Sequence, residues 1–549
     1  MLYLILSSIL VTLIYIPFGV FLSKENKNIT NFSSQLIYSL IVLSFIALFL
    51  NFFSPLNIYI NSILIIISLI LFFKDWKRYN NLYFLFFLII ISSTILLLVT
   101  NSNTYRPDAG LYHFPYTQIL NEEKIIIGLS NLHFRFGHIS IIQYLSAISN
   151  NIIFGVNGMI FAPAVIAAAV IVNFLFHLKH YINNKQYNFH FYYLFFTLIF
   201  IFYKMNRYSE YGNDSPAHFL FFFLISETLR FDFIDNVRKV INLFILSAFI
   251  LLNKITLGIA CLIPFMHVNK TNFYKCFKIK RTYFGIILIF LWFLKNVLVS
   301  GCIVYPLSQT CIKNLSWTDI HKTKEVSAEN EAWTKSWSEQ NKIISHNDYI
   351  KDFKWISTWR DNYLPKLIEI LLPYILFTIF ITIILYIHSN KNMSLKKLEN
   401  SSKINFLFFL IIVSFIIWFI KIPIFRYGTS FLISMIVLMT SYICVTKINL
   451  TKDKRKFFSI IIFIGILAFI TKNFYRVLDN NYYYNNSPWP KFYSHGNDNI
   501  IPEIETKIIS GKKIYKATEG TCMYSRAPCT GFKIDISIKK KFRYLIFTN

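Results

Sequence analysis

The stretch that decides the fold is "LYFLFFLIIISSTILLLVT", Leu82–Thr100, followed at once by "NSNTYRPDAGLYHFPYTQI", residues 101–119. The first part carries no charged residue and, as a helix, is about as long as the hydrocarbon core of a bilayer is thick. The second part gathers Arg106, Asp108, Tyr112 and His113 where that span ends. An acid, a base and an imidazole at the end of a span need a reason. The reason depends on which side of the membrane they face.

Working outward, apolar runs of this kind recur along all 549 residues. Hydrophobic residues make up 55% and charged residues 15%, and the mean hydropathy is +0.49. A soluble domain is about one-quarter charged. The strand alternation of an outer-membrane barrel is absent. The composition predicts an all-α polytopic membrane protein with about 13 to 14 spans. Residues 1–471 form the transmembrane domain, with long loops at 101–157 and 301–365, and residues 472–549 form a C-terminal segment. The opening "MLYLILSSILVTLIYIPFGVFL" has neither a basic n-region nor a small-residue cleavage site, so it reads as a retained first span.

The net charge of +28 is distributed between the spans. "SKENKN", "KDWKRYN", "KHYINNKQ", "RFDFIDNVRK", "NKTNFYKCFKIKR", "NKNMSLKKLENSSK" and "KINLTKDKRK" fall on alternate loops. The positive-inside rule places those loops in the cytoplasm. It places residues 101–157, the turn around Asp214, the turn at Lys254, residues 301–365 and the tail outside. Scattered Lys and Arg of this kind do not make a nucleic-acid face. Within 101–157, "HISIIQYLSAISNNIIFG" is apolar but carries His138 and Gln143. It reads as a helix lying at the outer interface or entering the membrane and returning.

The seven cysteines divide by compartment. Cys261, Cys276 and Cys444 lie in or near the membrane. Cys522 and Cys529, in "CMYSRAPC", fall outside, where a local disulfide is expected. Cys302 and Cys311 are a second candidate pair.

Polar residues at the outer ends of spans are the candidate site. Pro107 suits a first helical turn, which sets Asp108 near a helix N-terminus, where the dipole favours a carboxylate. "MNRYSEYGNDSPAHF" brings Arg207, Glu210 and Asp214 to one turn. Two carboxylates there suit a divalent metal or sugar hydroxyls, and suit a solvated turn equally. Lys254 and Lys295 sit at or within spans, and Arg426 in "KIPIFRYG" begins one. Ionisable groups at membrane depth are functional candidates, although a lysine can also snorkel to the interface. Arg426 runs against the charge bias, which favours a phosphate-holding role. Five tryptophans in 301–365 suit either a membrane belt or sugar stacking. No Walker, GxSxG, HExxH or dinucleotide fingerprint is present.

An acidic motif on the first large outer loop, many spans, polar outer turns and an outer C-terminal segment together resemble the C-type glycosyltransferase (GT-C) superfamily. "PDAGLYHFPY" is similar to a segment of bacterial members related to protein mannosyltransferases. "DAGLYHFPY", "SNLHFRFGH", "LKNVLVSGCIVYP" and "CMYSRAPC" also look like an uncharacterised family of bacterial polytopic membrane proteins. The first resemblance implies a multi-pass enzyme of the bacterial inner membrane. It would transfer a sugar from a polyprenyl-phosphate-linked donor to a glycan, lipid or protein acceptor at the cell surface. Asp108 would be the base and His113 its catalytic partner. Arg106, Tyr112, Glu210, Asp214, Lys254, Lys295 and Arg426 would bind substrate. A flippase, transporter or polymerase-type component of surface polysaccharide assembly is the alternative. No cofactor is specified, and a divalent metal remains open.

Overall fold

The computed structural model describes residues 2–23, 28–99, 108–205, 212–230, 237–337, 344–389, 400–449, 453–479, 503–518 and 521–549. Arg106, Pro107, Arg207 and Glu210 lie outside these residues.

Among the described residues, nine helices are long and apolar enough to cross a membrane: Leu2–Phe21, Ile29–Asn51, Leu82–Val99, Gly155–Asn183, Lys280–Ser300, Leu364–Ile387, Ser401–Lys421, Phe425–Lys447 and Arg455–Tyr475. The body of the chain is therefore that of an α-helical, multi-pass membrane protein. The remaining segments with span-like composition are shorter helices: Ile58–Lys74, Phe189–Lys204, Asp214–Thr228, Val237–Asn253 and the 3-10 stretch Ile255–His267. Phe189–Lys204 and Asp214–Thr228 are buried on nearly every side. A helix that is apolar all round belongs inside a bundle, surrounded by other helices.

Local chemistry sets the ends of these helices. Asn28, Asn57 and Asn188 cap theirs by accepting from Asn31, Ile60 and Phe191 amides. Gly301 ends Lys280–Ser300 at φ +77°, and a Cβ there would strike Thr318 Oγ1 at 1.8 Å. Both the left-handed backbone and the close approach require glycine. The alanine-rich run of Phe161–Asn183 lets Ile29–Asn51 approach closely. Asn173 pins the pair by donating to Thr30 O at 3.1 Å, Ser33 Oγ at 3.0 Å and Ser34 Oγ at 3.1 Å.

The segment expected to lie at the interface or to re-enter the membrane is the nine-residue helix Ile141–Ser149, and all of its residues are buried. It packs inside the bundle, against Ile29–Asn51 and Phe114–Glu122, and does not lie along a surface. A capping box holds its start: Ser140 Oγ accepts from the Ile142 amide, and Gln143 Oε1 accepts from the Ser140 amide at 2.8 Å.

The tail adds β structure to a fold expected to be all-α. The last long helix runs to Asp479. Beyond it, β1 (Ile504–Ile509) and β2 (Lys512–Ala517) form an antiparallel hairpin, and β3 (Cys529–Thr530) joins β2 in parallel. β4 (Ser537–Lys541) and β5 (Tyr544–Thr548) make a second hairpin. These strands lack the long apolar runs that mark the body, so they do not stand out in the sequence. Disulfides join Cys522 to Cys529 and Cys302 to Cys311.

Three segments assigned outside by loop charge pack on one another. Ile127 donates to Leu545 O and accepts from the Phe547 amide, both at 2.9 Å. Asn131 donates to Trp317 O and Phe547 O, each at 3.0 Å. Lys512 is ion-paired with Glu123, and the Met523 amide donates to Gly110 O at 2.9 Å. Residues 108–157, the long loop after Gly301 and the tail thus assemble at one end of the bundle. The tryptophans of that loop are mostly committed to packing. Trp355 and Trp359 are buried against Phe419, and Trp317 Nε1 donates to Val297 O at 2.9 Å.

Candidate functional site

Four charged residues from four separate elements meet at that end. Asp108 precedes a π-helical turn, Ala109–His113, which leads into Phe114–Glu122. Such turns are often found at functional sites. Asp214 begins Asp214–Thr228, Lys254 precedes Ile255–His267, and Arg426 is the second residue of Phe425–Lys447.

The charges alternate along a chain. Lys254 is ion-paired with Asp214. Arg426 Nε lies 3.7 Å from Asp214 Oδ2, and Arg426 Nη1 lies 3.5 Å from Asp108 Oδ2. Two acids and two bases bring the quartet close to neutrality. Burial opposes charge on Asp214, but Lys254 and Arg426 more than offset it and hold the carboxyl below its ordinary range. The helix N-terminus acts in the same direction.

Exposure separates the roles. The Lys254 side chain is 6% exposed, that of Asp108 is 33% and that of Arg426 is 51%. Lys254 supports Asp214 from below, whereas Arg426 and Asp108 face outward. Lys254 also lies 4.0 Å from the centre of the Tyr427 ring, and Arg426 Nη2 donates to Tyr427 OH at 3.1 Å. The Arg426 carbonyl accepts from His218 Nε2 at 2.7 Å, which anchors the backbone beneath the guanidinium.

Lys295 is not part of this group. It is fully buried within Lys280–Ser300, with its ammonium 3.7 Å from the Trp292 ring centre. The sequence had placed it with Arg426 as a phosphate holder. Instead, its helix position points it at an aromatic face inside the bundle. Arg106 and Glu210 lie outside the described residues. Among the described residues, no group of three or more His, Cys, Asp or Glu is arranged to hold a metal ion.

His113 and Tyr112 flank the quartet, their rings 4.2 Å apart, and Arg135 sits 5.4 Å over the Tyr112 ring. Burial pushes His113 down to about 4, against the pull of Asp108 and Asp214, so the imidazole is neutral at pH 7. Neutral there, it can act as a hydrogen-bonding group.

Burial also lowers His133 and His138 to about 3, with Arg135 adding to it. In the unfolded chain these rings titrate near the ordinary value of about 6.5. Below that value the unfolded state binds more protons, so the stability present above about pH 6.5 is lost as pH falls. The melting temperature in detergent should drop between pH 7.5 and pH 5, and a flat or rising profile would contradict this burial.

Removing the base of the quartet gives a second expectation. Lys254→Met leaves Asp214 with Arg426 alone and should destabilise the protein by roughly 3 kcal/mol, the low end for a broken buried pair because Asp214 keeps some solvent. Chemical denaturation of the purified variant measures it. A change below about 1 kcal/mol would place the pair among ordinary surface bridges.

Some residues here were not read from the sequence. Tyr427 follows Arg426 directly, but nothing in its type signals a role. Gln143 was readable, since "SIIQ", residues 140–143, has the spacing of a capping box ahead of an apolar run.

No curated protein and no solved structure matches the chain. Residues 1–433 match the family model of DUF8201, described as a domain of unknown function, and the chain belongs to that family.

Proposed function

We propose that this is a membrane glycosyltransferase that takes a sugar from a polyprenyl-phosphate-linked donor at the outer face of the bacterial inner membrane. One observation carries the reading. Arg426, half exposed, bridges the carboxylates of Asp108 and Asp214 at the end of the bundle where the long loops and the tail assemble. A lipid phosphate arriving there competes with Asp108 for the guanidinium. The exchange binds the donor and frees the carboxylate in one step.

Transfer then follows simple bookkeeping of bonds. The acceptor hydroxyl oxygen attacks the anomeric carbon, and the bond from that carbon to the phosphate oxygen breaks. Asp108 takes the hydroxyl proton. Polyprenyl phosphate leaves with the bonding pair, and Arg426 stabilises its added charge. Lys254 keeps Asp214 ionised and in place, and Asp214 keeps Arg426 aimed outward.

Two experiments test the reading. Reporter fusions after Arg281 and Lys397 should be cytoplasmic, and fusions after Asn347 and at the C-terminus should be outside. A cytoplasmic C-terminus would remove the site from the outer face. In nanodiscs, a polyprenyl-phosphate-linked sugar should bind and be displaced by polyprenyl phosphate, but not by the free lipid alcohol. Equal displacement by the alcohol would remove the phosphate from the recognition.

A further inference from the structure

The two hairpins of the tail are tied to the end of one membrane span. Ile29–Asn51 ends at Phe52, whose carbonyl accepts from Tyr544 OH at 2.8 Å. Asn51 Nδ2 donates to Glu123 O at 3.1 Å, and Glu123 is ion-paired with Lys512. Tyr544 is the first residue of β5 and Lys512 the first of β2, so each link lies beside a hairpin turn. The Tyr544 ring also holds Lys124, whose ammonium is 3.7 Å from the ring centre. Phe53, just past the span, is 65% exposed. Both turns therefore stand at the level where that span leaves the hydrocarbon.

The turn between β4 and β5 is unusual in its residues. It consists of Phe542 and Arg543, with φ of +47° and +65°. A two-residue turn with both φ positive ordinarily holds Asn-Gly or Asp-Gly, and a bulky residue in that region is an outlier. Backbone preference does not account for these side chains. Phe542 is 84% exposed, and Lys539, Lys540, Lys541 and Arg543 around it are exposed as well. Among the described residues, the ion pairs of the tail join Lys512 to Glu123 and Lys516 to Glu505, and use none of these four cations. The turn between β1 and β2 repeats the combination. Ile508 and Lys513 are directly opposed, which sets them on one face of the hairpin, and both are exposed. Residues 503–549 carry ten Lys and Arg against four Asp and Glu.

An apolar side chain ringed by cations at the end of a span matches the boundary of an anionic bilayer. The apolar group enters the interfacial layer, and the cations meet the phosphates there. We propose that the two turns are a docking surface for anionic phospholipid headgroups, with Phe542 and Ile508 in the interfacial layer and residues 539–541, Arg543 and Lys513 on the phosphates. The proposal is independent of the transferase reading. Docking would hold the tail against the membrane. The same tail reaches the turn that follows Asp108, because the Met523 amide donates to Gly110 O at 2.9 Å.

The test is hydrogen–deuterium exchange of the full chain in two kinds of nanodisc, one of phosphatidylcholine alone and one rich in phosphatidylglycerol. The amides of Phe542 and Arg543 lie outside the strand ladder, so their exchange reports on the turn itself. At low salt it should be roughly fivefold slower or more in the anionic discs, the shift in population that one cation near an anionic surface supplies. The difference should vanish at about 1 M salt, where the screening length is roughly 3 Å. It should also vanish when Lys539→Gln, Lys540→Gln and Lys541→Gln are combined, and Phe542→Ser should reduce it severalfold. The ladder amides of residues 545–548 should keep their protection in both variants. If the lysine variant loses that protection, the salt comparison decides. Equal exchange of the turn in the two lipids at low salt overturns the proposal, as does a difference that survives in 1 M salt or in a folded lysine variant. Slowing by soluble polyphosphate in phosphatidylcholine discs, without slowing in the anionic discs, also overturns it and makes the partner an anion in the water.

Discussion

Asp108→Asn should lower sugar-transfer turnover by roughly 10²-fold or more while leaving protein yield near wild type. The two effects separate because they have different origins. Asparagine keeps the shape of the side chain and can still accept a hydrogen bond from Arg426, but it cannot take the acceptor proton. The fold loses only a partly exposed ion pair, since Asp108 is 33% and Arg426 51% exposed. Pairs of that kind contribute about 0–1 kcal/mol. Arg426 also keeps its second carboxylate, Asp214. A purely structural role for Asp108 gives the opposite pattern, with less folded protein and normal activity per molecule. Both quantities should be measured in one membrane preparation.

Arg426→Gln should have the other large effect. In the proposed mechanism the guanidinium meets the donor phosphate in the ground state and carries added charge in the transition state. Its loss should raise the KM for the lipid-linked donor by about 10- to 100-fold, the range for a charged hydrogen bond. It should lower kcat as well. Arg426→Lys should recover part of the binding, because the charge remains but the planar fork that spans two partners does not. An unchanged donor KM in Arg426→Gln would remove Arg426 from donor binding and leave it as a bridge between two acids.

The sequence showed the site's members better than their grouping. Asp108 was singled out because it follows an uncharged span, with Pro107 marking a helix start beside it. Arg426 was legible because it opposes the charge bias of its own loop. Their meeting was not legible, since 317 residues separate them and pairing across such a distance depends on helix packing. Lys295 shows the limit from the other side. Its residue type and depth match those of a ligand-binding cation, but its helical position turns it onto Trp292. Lys254 has the same residue type and a similar depth, yet it meets Asp214. Period and composition mark a buried lysine but do not say which neighbour it reaches. The helix Ile141–Ser149 was visible as an apolar segment, whereas its burial and its hold on His113 through Gln143 depend on tertiary contacts. The short strands of the tail were missed because each has six residues or fewer, and β2 and β4 carry three lysines apiece.

The central claim is that the bond between sugar and phosphate is broken at this site. The most direct measurement is the release of polyprenyl phosphate from a radiolabelled polyprenyl-phosphate sugar in proteoliposomes containing the full chain and a crude extract of surface glycans as acceptor. The account predicts release in step with the appearance of labelled glycan, and loss of both in Asp108→Asn. Movement of intact donor across the bilayer without release, in wild type and variant alike, would contradict it and identify the chain as a flippase.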